Sequence, residues 1–397
     1  MTSIIADRLN AIKPSPTLAV GARATELNAQ GKNIISLSLG EPDFPAPAHM
    51  KRAAIEAIEH GSAHYTATEG TLSLRKAICE KFQRDNNLRY MPNQILASCG
   101  AKHSIYNACM SLLNPSDEVI IPAPYWVSYP DMVLLAEAKP VIIHAGHEQK
   151  FKITPEQLEK AITPKTKLFI LNSPSNPTGS VYSSDELKAL ATVLLKHPHV
   201  LILSDDIYES IYWNIEPFTN IIMVCPELYE RTIVINGISK AYAATGWRLG
   251  YAAGSVTIIN AMKKLQSQST SNAASMVQAA AEVALNGSQQ CVLDMCKVFK
   301  QRHDHVLVRL NQLLGFKCAP TEGAFYFFPY VKEAQDLLGL SDDLAFSEWL
   351  LTEASVAVVP GSAFGAPNYI RLSYATSLEQ LDKAIDNIAK AMAVARK

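Results

Sequence analysis

Charge is scarce in this chain of 397 residues: Asp, Glu, Lys and Arg together make up 18%, against about 25% in ordinary globular proteins. The charge that is present balances, 36 Lys and Arg against 37 Asp and Glu for a formal net of -1. Such a chain is not built to track a nucleic acid or an anionic membrane surface, and neither is expected as a partner. Long apolar runs are missing too, none approaching the ~18 residues of a membrane span. The opening MTSIIADRLNAIKPSP has no basic stretch and only the short apolar run Ile4-Ile5-Ala6, so no secretory signal is expected. Seven Cys occur without a CxxC pair, Cys291 and Cys296 lying closest. They read as reduced thiols filling core space, not as metal ligands, and the expected compartment is the cytoplasm. No repeat, low-complexity segment or Gly/Ser linker is visible. Nor are GxGxxG, GxxxxGK, GxSxG or HExxH, so a dinucleotide dehydrogenase, a P-loop kinase, an α/β hydrolase and a zinc protease lack their signatures.

Apolar residues do reach 48%, which excludes a disordered chain, and the length suits about two or three domains. The middle alternates short β-branched runs with helical stretches. Strands are expected at Gln94–Ser98, Glu118–Pro122, Pro140–His144, Lys167–Leu171, Val200–Ser204, Thr232–Asn236 and Gly250–Gly254. Most are nearly continuous apolar runs, as in strands buried on both faces of a mainly parallel sheet. Helices between them carry start signals: Thr154, Pro155 and Gln157 make a capping box with Pro at the first helical position, and Ser184–Leu195 opens on Ser and acidic residues. The fold class expected is α/β, a mainly parallel seven-stranded sheet with helices on both faces. A smaller α+β unit is expected from the chain ends. It would comprise one long helix over Asn286–Leu314 ended by Gly315, strands at Ala324–Phe328, Val356–Val359 and Tyr369–Ser373, and helices near Leu344–Glu353 and from Leu378. The domain division that follows is 47–300 against 1–46 with 301–397, although the first ~45 residues, with their Pro clusters, suit packing on either part.

The chemistry-bearing residues gather where such strands end, which is where α/β sheets bind ligands. Ser98-Cys99-Gly100-Ala101-Lys102 passes from a strand into a helix. Its free backbone N–H groups can cradle a phosphate, or the Gly serves the turn alone. Asn172-Ser173-Pro174-Ser175-Asn176-Pro177-Thr178-Gly179 is either an ordinary Pro turn or a rigid loop that aims the Asn176 amide into a site. Asp205-Asp206-Ile207-Tyr208 follows a strand, where acids cap helices or meet ligands. Lys240 lies in Gly237-Ile238-Ser239-Lys240-Ala241-Tyr242, ahead of Thr245-Gly246-Trp247-Arg248-Leu249-Gly250. A lone Lys is ordinarily a surface charge. One flanked by small and aromatic residues after an apolar strand is half-buried, and a desolvated amine is a nucleophile that forms Schiff bases.

A phosphate cup, an acid, a phenol, an amide, a Lys and Arg residues at strand ends meet the demands of pyridoxal phosphate. The order and spelling of these motifs resemble the class-I (fold-type I) aminotransferases, and within them the bacterial branch of the aspartate aminotransferases. The resemblance runs from Lys13-Pro14-Ser15 through Gly40-Glu41-Pro42-Asp43-Phe44 to Arg371-Leu372-Ser373-Tyr374. It implies that Lys240 holds the cofactor covalently and then acts as general acid and base, while Asp205 pairs with the ring nitrogen. Tyr208 and Asn176 would bond the ring oxygen, and Trp126, itself readable as a buried aromatic turn, would stack on the ring. Backbone groups of Gly100, Ala101 and Lys102 and the Arg248 guanidinium would hold the phosphate, together with the Tyr65 hydroxyl of a partner subunit in a homodimer with shared active sites. Arg371 would bind the substrate α-carboxylate beside Gly40. Animal and enterobacterial relatives meet the distal carboxylate with an Arg of the neighbouring subunit, but the corresponding stretch 266–275 has none. The resemblance places Lys102, with Ser15 and Thr17, in that role, and Lys13 at a position linked to prephenate.

The activity implied is ping-pong transamination of L-aspartate and 2-oxoglutarate to oxaloacetate and L-glutamate. Prephenate or broader amino-acid transamination, and a β-lyase or decarboxylase on the same fold, are the alternatives. An aminotransferase-like regulator would carry an added helix-turn-helix module at its start. The early position of Gly40–Phe44 is expected to leave no room for one.

Overall fold

The computed structural model describes residues 4–61, 63–214 and 216–395. Seven strands form its main sheet: β1 (Ile95–Ser98), β2 (Glu118–Ala123), β3 (Lys139–His144), β4 (Thr166–Asn172), β5 (Leu201–Asp205), β6 (Thr232–Gly237) and β7 (Gly250–Ala253). Their order is β1-β7-β6-β5-β4-β2-β3. All pairings are parallel except those of β7, which runs antiparallel to both neighbours.

Why the strand runs are apolar throughout is plain from the two cores they feed. Ile95, Ile120, Phe169, Ile202, Val234 and Tyr251 face one side, against the helices Ala48–Glu59, Leu72–Asn86, Ser184–Lys196 and Ser275–Asn286. Leu96, Val119, Leu168, Leu203, Ile233 and Ala252 face the other, against Ala101–Leu112, Ser128–Leu135 and Val256–Ser267. Alternation with period two therefore persists, but both faces are dry. The capping box is present: the Thr154 hydroxyl accepts from Gln157 N at 3.3 Å, and the Gln157 side chain accepts from Thr154 N at 2.8 Å.

A separate core lies around Phe299, Phe325, Tyr326, Phe327, Phe346, Leu350, Ile370, Leu372 and Ile385. It holds a three-stranded antiparallel sheet, Val359–Pro360 and Tyr326–Phe327 on either side of Ile370–Ser373. A two-stranded parallel pair joins Ile35–Ser36 to Val356–Ala357.

Three expectations are corrected here. The helix expected over Asn286–Leu314 is present but shorter at both ends, Gln290–Leu310. Asn286 instead closes the preceding helix, where the Gln289 amide donates to the carbonyls of Ala284, Leu285 and Gly287 at 3.0, 3.4 and 2.8 Å, giving that helix end partners it would otherwise lack. Val356–Val359 is not one strand either, since its two ends pair in different sheets. Of Ala324–Phe328 only Tyr326–Phe327 is strand. The first residues divide their contacts: Asp7–Ala11 packs on Ser128–Leu135, while the helix Pro16–Ala29 packs on the short strands at Ile35–Ser36 and 356–360.

Candidate active site

The ends of β1, β4, β5 and β6 and the start of β7 share one edge of the sheet, where Ser98 and Gly237 both pair with Gly250 and Asn172 pairs with Asp205. A cleft of about 390 Å³ opens there, closed on its far side by Leu39, Gly40, Tyr326 and Arg371. Of the residues singled out in the sequence, Ser15, Thr17, Gly40, Ala101, Lys102, Trp126, Asn176, Asp205, Tyr208, Lys240, Arg248 and Arg371 line it. Gly100 lies directly behind the Arg248 guanidinium. Two do not reach it. Tyr65 is 92% exposed, and Lys13 is an exposed residue whose backbone bonds Asp131.

Lys240 sits on the single helical turn Ile238–Ala241 that follows β6. Its ammonium donates to the Gly40 carbonyl and lies 5.7 and 5.6 Å from the rings of Tyr208 and Phe325. Burial, aided by the positive charge of Arg371, pulls its pKa down to about 8. Asp205, at the end of β5, is buried, and burial pushes its carboxyl up to about 6. The Tyr129 hydroxyl donates to Asp205 Oδ2 at 2.6 Å. Oδ1 has only the 3.4 Å approach of Ile207 N and stays able to accept another donor. The Tyr208 and Tyr326 hydroxyls bond each other at 2.8 Å.

Gly100 takes φ +91° and precedes the helix Ala101–Leu112, and a Cβ there would run into the Arg248 guanidinium. Gly250 is as constrained, since a Cβ on it would overlap the Gly100–Ala101 peptide. Open helix N–H groups and a guanidinium against a Cβ-free turn form an anion cup.

Arg371 is the reverse case, a fully buried cation without an anion. Its Nη1 donates to Asn176 Oδ1 at 3.0 Å and its Nη2 to the Ser38 carbonyl at 2.6 Å. Its Nε has no partner, and no carboxylate lies within 4.0 Å of it among the described residues. The rings of Tyr326 and Phe364 flank it at 4.6 and 5.1 Å. The loop that supplies Ser38 and Gly40 is pinned by Asp43, gripped by both Arg302 nitrogens at 2.6 and 2.8 Å. Lys102 lies at the other side of the cleft, its ammonium 4.9 Å above the Trp126 ring. Partial burial and the Arg248 charge hold it below the usual lysine range.

Sequence reasoning missed Tyr129, Tyr326, Asn172, Glu41 and Thr245. Tyr129 stands three residues beyond Trp126 in the same aromatic turn, and Tyr326 within the aromatic strand, so both carried a signal. Asn172, whose amide accepts from Asn176 N at 2.9 Å and donates to the Asp205 carbonyl at 2.8 Å, opens the Pro loop. Ser38 contributes only a carbonyl, for which a sequence holds no sign.

A half-buried amine, a buried acid at the next strand end, an anion cup and an arginine without an anion thus share one cleft between the main sheet and the smaller core. The chain belongs to the class I and II aminotransferases, whose family model matches residues 32–388. It is 54% identical to the aspartate/prephenate aminotransferase of Nitrosomonas europaea, over 97% of this chain and 98% of that protein. It is 47% identical to the aspartate aminotransferase of Bacillus subtilis, over 97% and 98% respectively. Among solved structures it superposes on the aspartate aminotransferase of Rhizobium meliloti with a TM-score of 0.95 at 46% identity, covering 98% of this chain and 99% of that one. With the Thermus thermophilus aspartate aminotransferase bound to maleate the TM-score is 0.93 at 39% identity, over 98% and 100%.

Proposed function

We propose that this chain uses pyridoxal phosphate to move the amino group between L-aspartate and 2-oxoglutarate, giving oxaloacetate and L-glutamate in two half-reactions. The observation that carries the reading is Arg371: a buried guanidinium with no carboxylate beside it among the described residues lines the same cleft as Lys240. Leaving such a charge unmatched costs stability, and a substrate carboxylate would satisfy it with paired charge-assisted bonds.

The site suits the cofactor. Gly100, Ala101, Lys102 and Arg248 would hold its phosphate, Asp205 its ring nitrogen, Asn176 and Tyr208 its ring oxygen, and Trp126 its face, with Lys240 bonded to it covalently. When bound, pyridoxal phosphate supplies an electron-accepting ring that stabilises negative charge at the substrate α-carbon. The residues do the rest. With a pKa near 8, Lys240 Nζ is partly neutral at pH 7 and so can act as a nucleophile and accept the α-proton. Asp205 is ionised above pH 6 and, fixed by Tyr129, holds a proton on whatever base faces Oδ1. Asn176 spends its oxygen on Arg371 and keeps its NH2 to donate.

Aspartate and 2-oxoglutarate are favoured because a second cation, Lys102, faces the cleft without a carboxylate partner among the described residues. Prephenate is a second acceptor in this proposal. It is favoured by the activity in the name of the Nitrosomonas europaea relative and by the apolar wall of Leu18, Leu39 and Ile105.

The active unit in this reading is a homodimer in which Tyr65 completes the partner's phosphate cup. Its 92% exposure within a stretch that also exposes Ile55, Ile58 and Leu72 supports it. The separate cores support the division into 47–300 and 1–46 with 301–397, the helix Gln290–Leu310 crossing between them. Cytoplasmic residence agrees with seven free cysteines, and no described helix is long and apolar enough to cross a membrane. The test is borohydride reduction of the pyridoxal phosphate-loaded protein followed by peptide mapping. The label is expected on Lys240, and a label on another lysine overturns the assignment.

A further inference from the structure

Gln266, the penultimate residue of the helix Val256–Ser267, is wholly buried, and every hydrogen-bonding position of its amide is used. Its Oε1 accepts from the Ser98 hydroxyl at 2.7 Å and from Asn107 Nδ2 at 2.9 Å. Its Nε2 donates to the carbonyls of Ala97 and Thr68, each at 2.9 Å. Ala97 and Ser98 end the strand that leads into the Gly100 turn, and Asn107 stands on the helix that leaves it. Gln266 therefore brackets the anion cup. Thr68 belongs to a different element, the loop that projects Tyr65 into solvent.

That loop is anchored at its base to the same strand. The Glu69 carbonyl accepts from Ala97 N at 3.0 Å, and Gly70, at φ +96°, packs so that a Cβ on it would stand 3.0 Å from the Ala97 methyl. Gln278, also wholly buried, grips the loop alone. It accepts from Thr71 N at 2.8 Å and donates to the Thr66 hydroxyl at 2.9 Å and to the Ala273 carbonyl at 2.7 Å.

A primary amide offers two donors and two acceptor sites. With all four engaged in the interior, it cannot turn without orphaning buried groups, and it transmits a fixed spacing between what it holds. We propose that Gln266 is a positioning residue that joins two phosphate-binding elements, the cup of its own subunit and the Tyr65 loop that serves the partner's cup. The inference rests on the shared-site homodimer proposed above. It assigns Gln278 the loop only.

The experiment uses full-length heterodimers, assembled from differently tagged chains, stripped of cofactor and titrated with pyridoxal phosphate. One chain is wild type. The other carries Arg248→Ala, which weakens its own cup, so the tight phase reports the wild-type cup and the partner's Tyr65. Adding Tyr65→Phe to the Arg248→Ala chain is the control and is expected to weaken the tight phase about tenfold, the loss of one charge-assisted hydrogen bond. Adding Gln266→Met or Gln278→Met instead should weaken it severalfold. In homodimers Gln266→Met should exceed Gln278→Met, because only Gln266 also holds the cup. Should Gln266→Met fail to fold, Gln266→Asn keeps the amide but is one methylene too short to hold both elements. If Tyr65→Phe weakens the wild-type cup and the Gln266 variants across the interface do not, the joining role is refuted. A silent Tyr65→Phe control would mean that the shared-site reading itself is wrong, and the inference falls with it.

Discussion

The seven-stranded sheet with its packed faces and the smaller separate core are held together differently. The seven-stranded sheet presents long, repeated ladders, and the groups at its edge are held in place: Asp205 by the Tyr129 hydroxyl, and the Gly100 turn against the Arg248 guanidinium as an anion cup. The smaller core is built from strands of two to four residues, and its contribution to the cleft, Arg371, is left short of partners. The difference separates holding from recognising. In the proposed function the sheet edge would hold the cofactor and carry the proton, whereas the small sheet would offer Arg371 to the substrate carboxylate. A substitution at Lys240 or Asp205 should therefore change kcat and cofactor chemistry, whereas one at Arg371, or at the Lys102 ammonium across the cleft, should change substrate binding.

The largest expected effect lies on the sheet side. If Lys240 is both covalent tether and proton carrier, as proposed, Lys240→Ala should lower turnover by about 10⁴-fold or more. Equilibrium dialysis should still detect cofactor held through Asp205 and Arg248. Substantial residual turnover would move the proton carrier elsewhere.

The same lysine makes a pH prediction for the cofactor-free protein. The unfolded chain keeps the Lys240 proton up to the usual 10.5, the folded one only to about 8. Between those values the unfolded state binds more protons, so stability should rise with pH across that window and carry a penalty below it. Lys240→Met should then stabilise the apoprotein at pH 7 by about 3 kcal/mol, an advantage that fades above pH 8. Denaturant unfolding at pH 7, 9 and 10 measures this. A variant equally stable relative to wild type at all three values would contradict the burial of that charge.

The smallest effect should come from a residue far from the cleft. Thr154→Ala loses one cap and about 1 kcal/mol of stability, with kcat/KM unchanged. It calibrates what a merely structural loss looks like on the sheet side.

The same contrast governs how much could be read from the sequence. Strands of four to seven apolar residues, each ending in a Pro, Gly or acidic signal, announced the large sheet and the edge on which Asp205, Asn176 and Lys240 stand. The small sheets gave no such signal, because two-residue strands have no period to detect. Their register comes from distant partners, as when Ile35 pairs with Val356. The later start of the long helix, at Gln290 and not Asn286, was hidden because the cap that ends the preceding helix comes from the side chain of Gln289. In the cleft, motif spelling pointed to most of the lining. It could not show that the Tyr129 hydroxyl meets Asp205 or that carbonyls of Ser38 and Gly40 face the two cations. The two carbonyl contacts depend on how the smaller core meets the sheet, and the Tyr129 contact on how its helix packs on the sheet.

The division between holding and recognising is tested most directly by kcat and KM for a panel of amino donors with Arg371→Ala and Lys102→Ala. A hydrogen bond to a charged group contributes about 1.5–3 kcal/mol, or roughly one to two decades in kcat/KM. Arg371→Ala should lose that much for aspartate, alanine and phenylalanine alike, mainly through KM, with cofactor affinity unchanged. Lys102→Ala should lose it only for aspartate and glutamate. If Arg371→Ala leaves KM intact, or if Lys102→Ala depresses every donor equally, recognition does not reside where these two charges stand, and the account of the cleft is wrong.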